Sequence, residues 1–148
     1  MQRNRTGNGR CNFTIAQLDF QCAKIMETII VEQTHTSPKI HLDGENGVIT
    51  LSGRSIPDNA MKVYRPVIDW IEKYLVFPKP RTTINIDLTF FNTSSSKYLL
   101  EILKMFEAFS RHGFIVEVNW YYHDEDVQDL IKDYQALVDL DIKCLPAS

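Results

Sequence analysis

With 148 residues, 44% apolar and 11% aromatic, the chain has enough material for one compact domain with a single core, which excludes a largely disordered polymer. Its net charge of −3 is unevenly spread: residues 1–25 hold Arg3, Arg5, Arg10 and Lys24 against Asp19, leaving 12 basic and 18 acidic residues, a charge of −6, in residues 26–148. Such an acidic domain is repelled by phosphate backbones, and no Lys/Arg stripe interleaved with aromatics offsets this, so nucleic-acid binding by the core is not expected.

Cys11, Cys22 and Cys144 are odd in number, widely spaced and in no C-x-x-C pair, so neither a disulfide framework nor a zinc site is indicated and reduced thiols are expected. No uninterrupted run of about 18 apolar residues is present, and the polar, Arg-bearing start lacks the apolar stretch of a signal peptide. The expectation is a cytoplasmic protein without a membrane span.

Residues 1–12 are rich in Gly, Asn and Arg, and the apolar residues of the stretch that follows are too few to make an element on their own. Residues 1–25 are therefore expected to be a poorly ordered extension, and a single domain is expected over 26–148, with Met26 as an alternative start. Residues 28–33 are β-branched and apolar, as in a strand. Alternating runs over 39–43 and 48–54 flank Gly44-Glu45-Asn46-Gly47, which predicts a β-hairpin turning on Asn-Gly. A helix is then expected with Asp58 as N-cap and an apolar face of Ala60, Val63, Tyr64, Val67, Ile68, Ile71 and Leu75, kinked or split at Pro66.

Residues 76–82 form a Pro-rich linker, and 83–91 form a strand with Ile84, Ile86 and Leu88 on one side and Asn85 and Asp87 on the other. Tyr98, Leu99, Ile102, Leu103, Phe106 and Phe109 repeat at helical spacing up to the stop at Gly113. Residues 114–122 read as another strand, and an acidic start followed by Val127, Leu130, Ile131, Tyr134 and Leu137 reads as another helix. Residues 141–146 add a short edge strand. The fold class is therefore α/β: a mixed sheet with an N-terminal antiparallel hairpin, a right-handed parallel crossover over 83–122, and helices packed on it.

The segment that carries chemistry is Asn92-Thr93-Ser94-Ser95-Ser96-Lys97, four consecutive hydroxyl residues in a strand-to-helix turn at the carboxyl end of a strand, where open α/β sheets place their sites. Hydroxyls there can cap a helix, a role worth roughly 1 kcal/mol that one residue fulfils. They can also accept a phosphoryl group, whose added charge suits the positive end of a helix. A serine hydrolase is disfavoured, because Ser94, Ser95 and Ser96 lie in no G-x-S-x-G elbow.

His35, His41, His112 and His123 lack metal-ligand spacing, and Asp124, Glu125 and Asp126 fit a helix's first turn rather than a calcium loop. No metal and no cofactor are expected. Trp120, Tyr121 and Tyr122 end a strand at the same sheet edge as the hydroxyl cluster; exposed aromatics anchor interfaces, and buried ones pack the core.

From Met26 to about Pro146 the chain resembles the SiaC family of bacterial regulatory phosphoproteins, through Leu51-Ser52-Gly53-Arg54-Ser55-Ile56-Pro57, Phe91-Asn92-Thr93-Ser94-Ser95-Ser96-Lys97 and Val118-Asn119-Trp120-Tyr121-Tyr122. The turn is also similar, at fold level, to that of STAS-type anti-sigma-factor antagonists, with Asn92 and Ser95 in place of an Asp and a Gly. The family resemblance implies a non-enzymatic signalling protein. It implies phosphorylation of Thr93 by a dedicated Ser/Thr protein kinase and its reversal by a PP2C-like phosphatase. It also implies that the unmodified form binds and activates a diguanylate cyclase, linking the switch to cyclic di-GMP and biofilm regulation. Around Thr93, the expected docking residues are Asn92, Ser94, Ser95, Ser96, Lys97, Arg54, Trp120 and Tyr122. The alternative is a STAS-like partner-switch antagonist acting on an anti-sigma factor or other kinase.

Overall fold

In the computed structural model, which describes residues 28–147, the alternating runs around Asn46-Gly47 pair as the hairpin their pattern predicts. Strands β1 (Ile29–Val31), β2 (Lys39–Asp43) and β3 (Val48–Ser55) are antiparallel neighbours. The Asp43 carboxylate accepts from the backbone N–H groups of Glu45 and Asn46 at 3.1 Å each and from the Asn46 side-chain amide at 2.8 Å. These bonds, the Asn46 amide first, hold its pKa below the usual carboxylate range. Gly47 turns the chain at φ +68°, and a Cβ there would lie 2.8 Å from both the Arg81 carbonyl oxygen and the Tyr74 hydroxyl, so only glycine fits.

The chain then alternates helix and strand through α1 (Ala60–Tyr74), β4 (Arg81–Phe91), α2 (Thr93–Ser110), β5 (Ile115–Tyr122), α3 (Glu125–Leu137) and β6 (Ile142–Pro146). From β3 onward neighbouring strands are parallel, and the described residues make one six-stranded sheet in the order β1-β2-β3-β4-β5-β6. Each crossover advances by one strand in the same direction, which brings successive helices to one face. That face is the core: Leu42, Ile49, Leu51, Ile84, Ile86, Leu88, Val118 and Trp120 are each at most 1% exposed against the helices. The alternate positions, among them Thr50, Asn85, Asp87 and Asn119, form a polar outer face, where the Asn119 amide donates to Asn85 Oδ1 at 3.0 Å.

Two expectations are corrected, and of the two effects expected at Pro66 one is. The N-cap of α1 is Asn59, not Asp58, and it makes no side-chain cap bond. Helix α1 is one element that includes Pro66, so the proline does not split it, and its buried face also takes in Trp70 and Tyr74, stacked at 5.2 Å. Strand β4 begins at Arg81, inside the expected linker. The expected extension over 1–25 and the alternative start at Met26 lie outside the described residues.

One irregularity positions the site. Gly53 pairs with Leu88 but Arg54 pairs with Phe90, so Thr89 is an extra residue in β4, and its hydroxyl donates to the Gly53 carbonyl at 3.1 Å. A bulge shifts the in-out alternation by one. Phe91 consequently packs inward on Trp120 at 6.0 Å between ring centroids, while Phe90 stands outward, 55% exposed.

Candidate functional site

Helix α2 starts directly where β4 ends, and its cap is Asn92 rather than any hydroxyl. Asn92 has extended backbone dihedrals (φ −90°, ψ 176°), and its Oδ1 accepts the Ser95 N–H at 2.9 Å. Its carbonyl accepts the Ser96 N–H at 2.9 Å and its own N–H donates to the Ser55 carbonyl at 3.0 Å. The side-chain amide donates to the Pro57 carbonyl at 3.4 Å. The end of β3 therefore clamps the start of α2.

With capping assigned to Asn92, the four hydroxyls divide into two pairs. Ser95 is fully buried: its hydroxyl donates to the Ser55 carbonyl at 2.9 Å and accepts from Ser55 Oγ at 2.7 Å. Ser55 Oγ in turn bonds the Tyr64 hydroxyl at 2.5 Å. Burial raises the Tyr64 pKa above the ordinary phenol value, so the phenol keeps its proton and the chain of hydroxyls is satisfied from end to end. Ser96 bonds the Tyr134 hydroxyl, which donates to the Ser96 carbonyl at 2.9 Å; burial raises the Tyr134 pKa as well. Thr93 and Ser94 are exposed, and neither side chain takes a hydrogen bond among the described residues.

Around this pair, Lys97 is exposed one turn along α2, and Arg54 is exposed beside its cross-strand partner Phe90. Tyr122 is half-buried against the core. Two expected docking residues do not reach the surface. Ser95 is 0% exposed, held inward by Ser55, and Trp120 is 0% exposed between Phe91 at 6.0 Å and Tyr134 at 4.8 Å. Trp120 belongs to the core alternative, and its indole Nε1 has no hydrogen-bond partner among the described residues. Ser96 and Asn92 are half-buried and committed to the turn itself.

Sequence reasoning missed Phe90, Ser55, Tyr64 and Tyr134. The one signal for Phe90 was its place in an apolar pair at a strand end, which a strict alternation assigns to the core. The hydroxyl partners lie 31–40 residues away along the chain and carry no spacing signal.

The other candidate chemistries find little here. Ser95 and Ser96 bond backbone groups and hydroxyls, and among the described residues neither is hydrogen-bonded to an imidazole that would activate it. His123 instead lies 2.6 Å from Asp87 Oδ1 on the outer face. Asp124 caps α3, accepting from the Val127 N–H at 2.9 Å, with Glu125 and Asp126 in the first turn. Among the described residues no group of three His, Cys, Asp or Glu side chains is placed to hold a metal ion, and no helix is long and apolar enough to cross a membrane. What the arrangement offers is an exposed, unbonded hydroxyl at the first position of a helix whose opening turn carries no acid. A phosphate added there meets the positive helix end and Lys97.

The family model described as SiaC family regulatory phosphoprotein matches residues 31–147. The chain belongs to the SiaC family. A curated relative, an uncharacterized protein of Pseudomonas aeruginosa strain UCBPP-PA14, is 29% identical over 112 residues, covering 74% of this chain and 89% of its own length. Among solved structures, apo-SiaC from Pseudomonas aeruginosa superposes with a TM-score of 0.76 at 25% identity, over 80% of this chain and 98% of that one. A second structure, of the diguanylate cyclase SiaD in complex with its activator SiaC from the same organism, matches with a TM-score of 0.76 at 26% identity, over 80% and 99%. The mixed α/β architecture described above is therefore that of SiaC, whose structure is known alone and on its cyclase.

Proposed function

We propose that this SiaC-family protein is a phosphorylation-switched activator, itself without catalytic activity, that works in the cytoplasm. Its unmodified form binds and activates a diguanylate cyclase, and phosphate on Thr93 releases that partner. A Ser/Thr protein kinase adds the phosphate and a PP2C-like phosphatase removes it. The carrying observation is the division of the hydroxyl cluster: Ser95 and Ser96 are tied into the fold, and Thr93 stands exposed and unbonded at the start of α2. The likeness to a SiaC solved with its cyclase supports the choice of partner.

Thr93, Ser94 and Lys97 on α2, with Arg54, Phe90 and Tyr122 at the strand ends beside it, make the proposed docking face. A phosphate in its middle adds about −1.5 to −2 charges that must be stripped of water against the partner, so binding is lost without refolding. Mass spectrometry of the protein purified from its native cell should find phosphate on Thr93. Thr93→Ala should bind the cyclase and take up no phosphate, and Thr93→Asp should bind it poorly. Equal cyclase binding by the two variants refutes the switch, and recovery of an anti-sigma factor in place of a cyclase favours the STAS-like antagonist.

A further inference from the structure

A single exposed apolar side chain is ordinary on a protein surface, but at Phe90 the backbone is built to expose one. Ile84, Ile86 and Leu88 alternate into the core, and an uninterrupted strand would send Phe90 after them. The extra residue at Thr89 reverses this and leaves the ring 55% exposed among the described residues. The facing strand is irregular at the same level. Gly53 has φ +96°, a conformation that other residues adopt only under strain, and its carbonyl accepts the Thr89 hydroxyl at 3.1 Å. Two coupled distortions thus fix one side chain outward, the re-aiming that bulges perform beside functional sites.

Arg54 stands in register with Phe90 and is exposed. Among the described residues its guanidinium takes no hydrogen bond or ion pair, although acidic side chains outnumber basic ones in this domain. Even the exposed Asp58, the acid nearest to it along the chain, is not paired with it. The next pair in the register, Ser55 with Phe91, leads into the Asn92 clamp, so ring and guanidinium stand at the foot of the turn that presents Thr93. An aromatic ring beside an unpaired arginine is the composition of an interface anchor. The ring fills an apolar pocket, and the planar guanidinium takes a carboxylate through two parallel hydrogen bonds.

We propose that Phe90 and Arg54 anchor the partner at the docking face, the ring seated in an apolar pocket of the cyclase and the guanidinium paired with a carboxylate at that pocket's rim. The inference rests on the cyclase reading above, and titration calorimetry with the purified cyclase separates the two. Phe90→Ala should weaken binding at least about 30-fold. Arg54→Gln should weaken it about 10-fold and make the affinity fall less steeply as salt rises. Ile115→Ala, at the opposite end of the sheet with a comparable exposure of 52%, should stay within about twofold of wild type. All three sites are exposed, and a wild-type midpoint in chemical denaturation confirms that each variant is folded. Phe90→Ala binding within about twofold of wild type overturns the inference, and leaves the switch standing where Thr93→Asp still binds poorly. An unchanged salt dependence in Arg54→Gln overturns it too, as does an Ile115→Ala loss equal to that of Phe90→Ala. Should the wild type itself fail to bind the cyclase, the cyclase reading falls and this inference with it.

Discussion

Helices α2 and α3 both follow a parallel strand, and each is capped by an Asx side chain that accepts the N–H three residues on: Asn92 from Ser95 and Asp124 from Val127, both at 2.9 Å. They part in the first turn. Helix α3 carries Glu125 and Asp126 there, whereas α2 carries no acid and presents Thr93 and Ser94. The positive end of α3 is thus complemented by permanent charge, and that of α2 is left neutral beside hydroxyls able to receive charge later. The contrast separates a turn that is electrostatically finished from one that chemistry can still change.

The largest effect that tests this contrast is on partner binding. Phosphate on Thr93 should cost about 2 to 4 kcal/mol of contact with the cyclase, weakening binding roughly 30- to 1000-fold, as read by titration calorimetry with purified cyclase. One further carboxylate on α3, as in Gln128→Glu, should leave that affinity within about twofold. If charge added to either helix start weakened binding alike, the docking face would not be specific to α2.

Within the α2 turn the next contrast is between its two pairs of hydroxyls. Ser95→Ala removes the acceptor of Ser55 Oγ and a donor to the Ser55 carbonyl inside the core, so it should destabilise by about 1–3 kcal/mol in chemical denaturation. Ser94→Ala, at an exposed and unbonded position, should stay within about 0.5 kcal/mol of wild type. A Ser94 cost matching that of Ser95 would remove the distinction on which the choice of acceptor rests.

The two caps offer a matched pair of smaller size. Asn92→Ala and Asp124→Ala should each cost about 1 kcal/mol, with Asn92 the more costly because its amide and N–H also tie α2 to Pro57 and Ser55. A negligible Asn92 effect would mean that the hydroxyls take over the cap and are not free.

How much of this could be read from residues alone follows the range of the interactions. The hairpin over 39–55 and the seam from Tyr98 to Phe109 are set by local alternation and period, and the structure reproduces them. The turn 92–97 was legible as a place but not as a division of labour. What commits Ser95 and Ser96 is contact with Ser55, Tyr64 and Tyr134, partners brought in by the topology. Trp120 and Phe90 show the same limit at strand ends: one aromatic for which interface and core both stood open is core, and another is turned outward by a bulge at Thr89 that leaves no mark in the alternation.

The smallest effect is the most discriminating, because its sign differs between the isolated protein and the complex. A carboxylate in the first turn of a helix contributes about 0.3–1 kcal/mol at low salt. Glu125→Gln and Asp126→Asn should therefore each destabilise the free protein by that amount. Thr93→Asp should stabilise it by a similar amount, since α2 lacks the acid that α3 already has. All three shifts should shrink as salt rises through about 1 M, where the screening length falls to roughly 3 Å. Thr93→Asp would then be a variant that folds slightly better and binds the cyclase worse, which separates loss of the docking face from loss of the fold. Destabilisation of the free protein by Thr93→Asp would show instead that the threonine has a structural role in the turn, and the distinction between α2 and α3 would fail at its base.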